Sequence, residues 1–319
     1  MYHIITNPTA GVKRGARVLK KLETFLKAEN VPYEIYQSTH TGHPAQIASQ
    51  ICESLVDEYV IKIVVIGGDG TFNEVLNGIG DDMERVQLGF IRAGRGNDFA
   101  KFMLIPKNVV SAFKVILADN RRKIDIYEID DSGEKTYGLN VCGTGLDVEV
   151  IKAHSRAKLF KKSKIAYQIA VFKGIKRYKP CKVKISINEG EEKEYEVLFV
   201  SVANGKSYGG GMQVAPKASV FDGKLDVVVV PMMPKWKVPF KLFDFFRNGN
   251  FIKRGTGVHE YAKEVKIEYT DDRKMVVNTD GQLVKKAFDV KVLPAKLQVF
   301  CTEQFITNNK LEDEDYLPG

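Results

Sequence analysis

A glycine-rich turn lies between a buried strand and a helix, and this combination limits the folds open to the chain. Residues 61–66 are apolar except for one lysine, which is typical of a strand buried in a parallel sheet. From Phe72 onward, apolar residues recur at helical spacing. The turn between them consists of Gly67, Gly68, Asp69, Gly70 and Thr71. This order predicts a phosphate-binding turn, because glycine lets backbone N–H groups approach an anion and the helix N-terminus is partly positive.

The acidic residue in this turn indicates that a cation accompanies the phosphate. The Asp69 carboxylate would repel a bare phosphate, whereas carboxylate oxygens suit Mg²⁺. The turn matches neither the Walker A pattern nor GxGxxG, so it is not one of the two common nucleotide fingerprints. The alternative is a strand-to-helix connection that needs glycine only for positive φ.

Two further turns follow strands within the first 125 residues. The strand pattern at residues 3–6 leads into the sequence NPTAG at 7–11, and the pattern at 88–92 leads into AGRGNDFAK at 93–101. Strand and helix patterns alternate through this region, which predicts a doubly wound α/β layer. Ligands of such layers bind at the carboxyl ends of the strands, so we expect the three turns to meet in one crevice.

After residue 125 the pattern changes to short strands separated by turn sequences such as NEGEE, FDGK and DDRK. These features predict an antiparallel β domain. Strands are expected at 124–129, 137–142, 182–187, 196–202, 225–230, 264–269 and 288–293. We therefore predict an α/β domain at 1–125, a β domain at 126–300 whose final strand can pack back on the first domain, and a tail at 301–319.

The net charge of +8 favours an anionic partner, and two segments concentrate the positive charge. Lys152–Lys179 contains ten Lys or Arg residues and no Asp or Glu. Pro231–Gly255 combines six basic residues and one acidic residue with Trp and Phe, a composition typical of segments that lie in a bilayer interface. We expect both segments to face an anionic membrane surface. The alternative is an amphipathic helix whose lysines are only solvated.

Other classes of protein are disfavoured by what the sequence lacks. The four cysteines are scattered without a CxxC pair, so neither a zinc site nor a disulfide framework is indicated. Neither a signal peptide nor a run of 18 apolar residues is present, so we expect a cytoplasmic protein that associates peripherally with the membrane. Without a recognition motif, nucleic acid is not an expected partner.

With these turns and the β domain in view, the chain resembles the diacylglycerol kinase catalytic family, especially its soluble bacterial lipid kinases, to which sphingosine and ceramide kinases are related. The resemblance covers nearly the whole chain. GGDGT alone is shared with NAD kinases, so the long block at 202–227 makes the resemblance specific. The motifs are NPTAG at 7–11, GGDGTFNEVLNG at 67–78, GRGNDFAK at 94–101, CGTGLDVEV at 142–150, the block at 202–227 and TDG at 279–281.

The resemblance implies a phosphofructokinase-like, doubly wound α/β domain that binds ATP (1–125), an antiparallel β-sandwich-like domain that binds the lipid (126–300) and an active site in the cleft between them. It implies an ATP- and Mg²⁺-dependent kinase that transfers the γ-phosphate to the hydroxyl of a diacylglycerol-like lipid. A homodimer is compatible with it. The nucleotide-binding residues would be Asn7, Pro8, Thr9, Ala10, Gly11, Ser38, Thr39, Gly67, Gly68, Asp69, Gly70, Thr71, Phe72, Asn73, Arg95 and Asn97.

The same resemblance assigns acidic residues to metal and catalysis. Asp69 and Asp280 would be catalytic, with Asp98 and Asp125 as further acidic candidates near the metal or phosphate. A structural Mg²⁺ would be held by the Asp222 side chain and by backbone carbonyls of two neighbours, Ser219 and Lys224.

Two positions depart from the family pattern. Arg95 stands where a threonine usually donates to ATP, and an arginine can still bind phosphate. Gln282 stands where a glutamate serves as the general base, and glutamine does not accept a proton at neutral pH. Three readings follow: a slow lipid kinase that can use another carboxylate such as Asp280, an inactive nucleotide- or lipid-binding pseudokinase, and an NAD-kinase-like enzyme for a small molecule.

Overall fold

The computed structural model describes residues 1–131, 133–156, 171, 173–246, 255–271, 275–284 and 288–309. These residues form two compact units. The first comprises Met1–Ile126 with the described residues from Leu293 onward, and the second is Tyr127–Val292. The helices are α1 (Ala10–Ala28), α2 (His43–Ser54), α3 (Asp69–Ile79), α4 (Asp98–Phe102), α5 (Val109–Leu117), α6 (Leu146–Arg156), α7 (Val238–Phe246) and α8 (Glu303–Asn308).

The strands follow the predicted change from alternating elements to consecutive strands. They are β1 (Tyr2–Thr6), β2 (Tyr33–Gln37), β3 (Ile61–Gly67), β4 (Val86–Arg92), β5 (Arg121–Asp131), β6 (Glu134–Gly138), β7 (Val141–Gly145), β8 (Cys181–Ile187), β9 (Lys193–Ala203), β10 (Ser207–Tyr208), β11 (Met212–Gln213), β12 (Leu225–Pro231), β13 (Val258–Ala262), β14 (Glu264–Tyr269), β15 (Val277–Thr279), β16 (Gln282–Val284) and β17 (Phe288–Phe300).

The first unit is built on a parallel sheet. Its strands have the order β2-β1-β3-β4, and β4 also pairs in parallel with the last part of β17. β3 is buried along nearly its whole length, as its β-branched sequence predicts. After β1 the chain forms β2 on one side of β1, and β3 then pairs with the other side of β1. The carboxyl ends of β1 and β3 therefore form the topological switch point where ligands of such sheets bind.

The second unit is antiparallel. β16, β15, β7, the last part of β9, β12 and β13 pair in that order, and the first part of β9 continues through β8 and β14 to the start of β17. Because β9 contributes to both runs of strands, they enclose a common apolar core that includes Tyr127, Phe199 and Phe288. The predicted fold class, a doubly wound α/β unit followed by an antiparallel β-sandwich-like unit, is confirmed.

The structure corrects two predicted boundaries. The single strand expected at 137–142 is broken into β6 and β7, because the N–H groups of Leu139 and Asn140 donate to the Asp280 carboxylate instead of to a neighbouring strand. The helix expected from Phe72 begins at Asp69, so the last residues of the glycine turn form its first turn.

Only parts of the two basic segments can be described. In Lys152–Lys179, α6 ends at Arg156 and residues 173–177 are helical, while residues 157–170 and 172 lie outside the described residues. In Pro231–Gly255, residues 247–254 lie outside them. Among the described residues, no helix is long and apolar enough to cross a membrane.

Candidate functional site

Three turns at the carboxyl edge of the parallel sheet are joined by hydrogen bonds. After β1, the Asn7 side-chain amide donates to Thr71 Oγ1 at 3.4 Å. After β4, the N–H groups of Ala93 and Gly94 donate to the carbonyl of Gly67 at 2.7 and 2.9 Å. The turns that follow β1, β3 and β4 therefore meet within the first unit, as predicted from their positions at the ends of parallel strands.

The glycines of the turns are required by close approach of the main chain. A Cβ on Gly94 would lie 2.5 Å from the Cα of Gly68, and a Cβ on Gly11 would lie 2.1 Å from the carbonyl oxygen of Ala93. Gly67, Gly68 and Gly70 all lack a positive φ. The alternative that this turn needs glycine only for positive φ is therefore wrong.

Two carboxylates lie beside one glycine at this edge. A Cβ on Gly96 would be 3.0 Å from Asp69 Oδ2 and 3.3 Å from Asp98 Oδ2, so both carboxylates border the space that the missing side chain leaves. The other oxygen of Asp69 accepts a hydrogen bond from the Phe99 N–H at 3.1 Å. Asp98 is buried and lies 3.3 Å from the Lys101 ammonium.

Aromatic packing holds the two helices that carry these carboxylates. The buried rings of Phe72 on α3, Phe90 on β4 and Phe99 on α4 meet edge to face, with centroids 5.0 and 5.5 Å apart. Such contacts add about 0.5–1.5 kcal/mol each to the burial of the rings. Because its side chain lies in this core, Phe72 can offer only main-chain groups to a ligand.

Asn97 carries an acceptor that has no partner. It adopts a left-handed conformation, with φ 50°, and its Nδ2 donates to the carbonyl of Gly94 at 2.8 Å. Its Oδ1 is buried and has no hydrogen-bond partner among the described residues. A buried carbonyl oxygen of this kind costs free energy unless a donor reaches it, so it marks a place for a ligand or a bound water.

The other predicted site residues of the first unit, three for the nucleotide and the acidic Asp125, differ in what their groups contact. Asn73 is buried one turn into α3, beside Asn77. The Ser38 N–H donates to Thr6, while the Thr39 hydroxyl is 2.9 Å from His40 Nδ1. Asp125 is buried in β5 and accepts from the Ala295 N–H at 2.8 Å, so it supports the backbone of β17.

In the second unit, Asp280 is fixed by backbone donors. Its Oδ2 accepts from the Leu139 N–H at 2.8 Å, and its Oδ1 accepts from the N–H groups of Asn140 and Val141 at 3.2 and 2.9 Å. Asp280 and Gly281 have φ values of 47° and 90°, which form a two-residue hairpin turn of the Asp-Gly type between β15 and β16. The carboxylate therefore anchors this turn.

Gln282 is the first residue after the turn. It pairs directly with Thr279 across the hairpin, so the two side chains lie on the same face. The Thr279 hydroxyl is 2.8 Å from the hydroxyl of Tyr127, which is fully buried. Burial, followed by the charge of Asp280, raises the pKa of Tyr127 well above its usual value, so this phenol stays protonated.

Asp147, at the start of α6, has the chemistry of a proton acceptor but was not singled out from the sequence. Its carboxylate accepts from Asn278 Nδ2 at 3.0 Å and from the Val148 N–H at 2.8 Å. Burial raises its pKa to about 6. A lone aspartate in CGTGLDVEV gives no sign of this environment, since the environment depends on the neighbouring strand β15.

The FDGK sequence forms a local turn before β12. The Lys224 N–H donates to Asp222 Oδ1 at 3.1 Å, and the Phe221 N–H donates to the Ser219 hydroxyl at 3.2 Å. Burial raises the pKa of Asp222, and the nearby Asp226 charge acts in the same direction. The Asp226 carboxylate itself contacts His259 Nε2, so Asp222 is the carboxylate that a cation bound here would relieve. Within the described residues, no group of three His, Cys, Asp or Glu side chains could hold a metal.

Arg14 and Arg92 were also not singled out from the sequence. Arg92 is the last residue of β4 and pairs in register with Gly67, the first glycine of the GGDGT turn. Burial, followed by the charge of Arg14, lowers the pKa of Arg92. The signal available in the sequence was an arginine at the end of a strand, next to a glycine turn.

Comparisons with known proteins concern the family and the fold. Residues 1–129 match the diacylglycerol kinase catalytic domain, and residues 140–301 match the YegS C-terminal NAD kinase beta sandwich-like domain. The chain is 30% identical to the "Putative lipid kinase YtlR" of Bacillus subtilis, over 89% of this chain and 93% of that protein. It is 28% identical to a diacylglycerol kinase of Bacillus subtilis, over 88% of each protein.

A solved structure shares the fold. The crystal structure of a "putative diacylglycerol kinase" from Bacillus anthracis superposes with a TM-score of 0.74, at 24% identity, over 95% of this chain and 96% of that one. The matches cover both units. This chain belongs to the diacylglycerol kinase family, with a diacylglycerol kinase catalytic domain followed by a YegS-type C-terminal domain.

Proposed function

We propose that this protein transfers the γ-phosphate of ATP to the hydroxyl of a diacylglycerol-like lipid. The enzyme class, an ATP-dependent lipid kinase, follows from membership of the family. The kind of lipid, the use of Mg²⁺ and the roles of individual residues are the proposal. The observation that carries it is the pair of carboxylates, Asp69 and Asp98, beside Gly96 among turns suited to phosphate.

The glycine turns would hold the phosphates of ATP. Their main chains approach one another closely, and the turn after β3 leads directly into α3, whose N-terminus favours negative charge. Asn7 organises the first turn by accepting from the N–H and the hydroxyl of Thr9 at 3.1 and 2.8 Å. Arg95, exposed in the third turn, would reach a phosphate in place of the usual threonine.

The residues around Gly96 fit Mg²⁺. Two carboxylates border a space that a Cβ would fill. In the adjoining part of the turn, beside Gly94 and Gly68, Asn97 Oδ1 has no hydrogen-bond partner among the described residues and can accept from a water or a ligand. Mg²⁺ commonly takes one or two carboxylates from the protein and completes its shell with water and phosphate oxygens. When bound, it would neutralise charge that develops on the phosphates. We also propose a structural Mg²⁺ at Asp222, with the carbonyls of Ser219 and Lys224.

The lipid hydroxyl would be activated without the usual glutamate. Gln282 occupies that position and can orient a hydroxyl by hydrogen bonding, but it cannot take the proton. Asp280 uses its carboxylate to hold three backbone N–H groups, which fixes the turn that presents Gln282. Because phosphoryl transfer depends mainly on positioning and electrostatic stabilisation, we expect turnover that is slowed by about 10²–10⁴-fold for lack of a base.

The test is transfer of phosphate from radiolabelled ATP to diacylglycerol in mixed detergent micelles with Mg²⁺. Wild type should give labelled phosphatidic acid, and Asp69→Asn should lower the rate at least about 100-fold while the protein stays folded. An absence of labelled lipid with wild type, across a panel of hydroxylated lipids, would overturn the proposed activity.

The second candidate, a nucleotide- or lipid-binding pseudokinase, is favoured by the Gln282 position alone. Gln282→Glu separates the two candidates. If Gln282→Glu transfers phosphate much faster than wild type, the protein is a working kinase that lacks only its general base. A pseudokinase predicts ATP binding by calorimetry with no transfer from either protein.

A further inference from the structure

Arg92 lies at the end of β4, next to the glycine turns. Its Nε is buried and has no hydrogen-bond partner among the described residues. An unpaired buried donor on a charged group costs free energy, and an arginine at a partly buried position normally meets a carboxylate or a phosphate. The structure records no carboxylate paired with Arg92 in the part of the chain that it describes.

A second guanidinium approaches the same place. Arg14 is near enough to act on Arg92 through its charge, and this repulsion adds to burial in disfavouring the Arg92 cation. The main chain also brings Arg14 close, since its Cβ lies 3.3 Å from the position that a Cβ on Gly11 would take, beside the carbonyl of Ala93. Two arginines that repel each other without an intervening acid form a site for an anion.

The main chain before Arg14 is strained. Gly11, Val12 and Lys13 have φ values of 55°, 64° and 64°, three consecutive residues in the left-handed region at the start of α1. A β-branched residue rarely adopts this conformation, and strain of this kind concentrates at ligand sites. Arg14 directly follows this strained segment, beside Gly11 and the Ala93 carbonyl after β4.

The position of Arg92 relative to the glycine turns indicates which anion would bind there. Arg92 pairs in register with Gly67, and the N–H of the next residue, Ala93, donates to the Gly67 carbonyl. Arg92 therefore ends the strand next to the one that leads into the turn that would hold the phosphates of ATP. We propose that Arg14 and Arg92 form an anion subsite that binds a phosphate group of the nucleotide.

This inference rests on the proposed function, since it requires that ATP binds at the glycine turns. It adds a nucleotide contact outside those turns. A guanidinium binds two phosphate oxygens in a forked geometry, so the pair would distinguish nucleotides by the number of phosphates they carry. It would also satisfy the buried Nε of Arg92.

The test measures nucleotide binding by calorimetry with the full chain, using ATP, ADP, adenosine and pyrophosphate. Arg92→Met and Arg14→Met keep the apolar stems and remove the charges. Both should weaken ATP and ADP binding by about 10- to 100-fold and leave adenosine binding unchanged. Arg17→Met, an exposed substitution on α1, is the matched control and should bind all four ligands like wild type.

A further variant and two outcomes of the calorimetry distinguish failure of the anion subsite from failure of the proposed function. Arg92→Lys keeps the charge and should recover part of the lost affinity, and it decides the matter if Arg92→Met does not fold. If wild type binds ATP and the Arg92 and Arg14 variants bind it within twofold of the wild-type affinity, the anion subsite is overturned but the proposed function is not. Wild type that binds neither ATP nor pyrophosphate overturns the subsite and the proposed function together.

Discussion

At the scale of single residues, the DGQ turn combines a structural aspartate with a residue that cannot act as a base. Asp280 accepts three backbone N–H bonds, so its oxygens are committed to holding the hairpin in place. Gln282 is held opposite Thr279 by that same turn. The stability of the turn and the chemistry at the following position therefore depend on different residues.

Replacement of Asp280 should separate these two roles. Asp280→Ala removes the acceptor for three buried donors and should lower the free energy of unfolding by about 2–4 kcal/mol. Asp280→Asn keeps one acceptor oxygen and tolerates positive φ, so its loss should be smaller. Denaturant titration measures both. Gln282→Ala is the control, with an expected loss under about 1 kcal/mol, and equal losses for Asp280→Ala and Gln282→Ala would contradict the structural role.

Asp147 predicts a pH dependence whose sign follows from its environment. Burial raises its pKa to about 6 from an ordinary value of 3.8, so the folded protein holds this proton more tightly than the unfolded chain. The stabilising effect of the protonated form is present at low pH and is lost as the pH rises from about 4 to about 6. Asp147→Asn does not titrate there and serves as the reference.

The measurement is the free energy of unfolding of wild type and Asp147→Asn between pH 4.5 and 7.5. The stability of wild type relative to the variant should fall by about 2 kcal/mol between pH 4.5 and about 6.5 and then level off. If the free energies of unfolding of wild type and Asp147→Asn differ by the same amount at every pH, the Asp147 carboxylate is solvated.

At the scale of elements, the phosphate turns depend on close contact between glycines of different segments. Gly94→Ala would place a Cβ 2.5 Å from the Gly68 Cα, where only main chain could move, and should destabilise the protein by about 1–3 kcal/mol. It should also weaken ATP binding, since the turns after β3 and β4 would separate. Calorimetry with ATP checks this outcome.

A glycine outside the turns provides the control. Gly133→Ala introduces a side chain at φ 94° with no atom within 4 Å, so it strains the backbone by about 1–2 kcal/mol without touching the turns. Its ATP affinity should equal that of wild type. If both variants bind ATP equally, the close approach of Gly68 and Gly94 does not shape the nucleotide site.

The sequence predicted the elements better than the contacts between them. The alternation of strand and helix patterns over the first 125 residues, with glycine turns after three strands, was sufficient to predict the α/β layer and the meeting of three turns, because parallel strands end at one edge. The β domain was predicted from the short strands and turn sequences that follow. The break between β6 and β7 was missed because it depends on Asp280, far along the chain. Arg92 and Asp147 were missed for a related reason, since their unusual surroundings arise from neighbouring segments.

At the scale of the whole molecule, attachment to a membrane is a proposal that the exposed aromatic residues support. Trp236, just before α7, is 68% exposed, and Phe240, in α7, is 73% exposed. Lys237 lies over the Trp236 ring at 5.2 Å. Large apolar side chains flanked by lysines favour an anionic bilayer interface. This part of Pro231–Gly255 would carry the contact.

Vesicle sedimentation tests this contact. The double variant Trp236→Ala/Phe240→Ala should reduce binding to vesicles that contain phosphatidylglycerol by about 10-fold or more, and added salt should weaken binding of the wild type. Tyr59→Ala removes an aromatic residue that is 92% exposed in the first unit and should have no effect. Equal losses for the two variants would mean that the effect is not specific to this segment.

Phosphate transfer from labelled ATP to diacylglycerol, with wild type, Asp69→Asn and Gln282→Glu measured side by side, tests the proposed lipid kinase activity most directly. We expect slow formation of labelled phosphatidic acid by wild type, loss of transfer with Asp69→Asn and faster transfer with Gln282→Glu. Wild type and Gln282→Glu that both bind ATP and transfer nothing to any hydroxylated lipid would contradict the proposed activity.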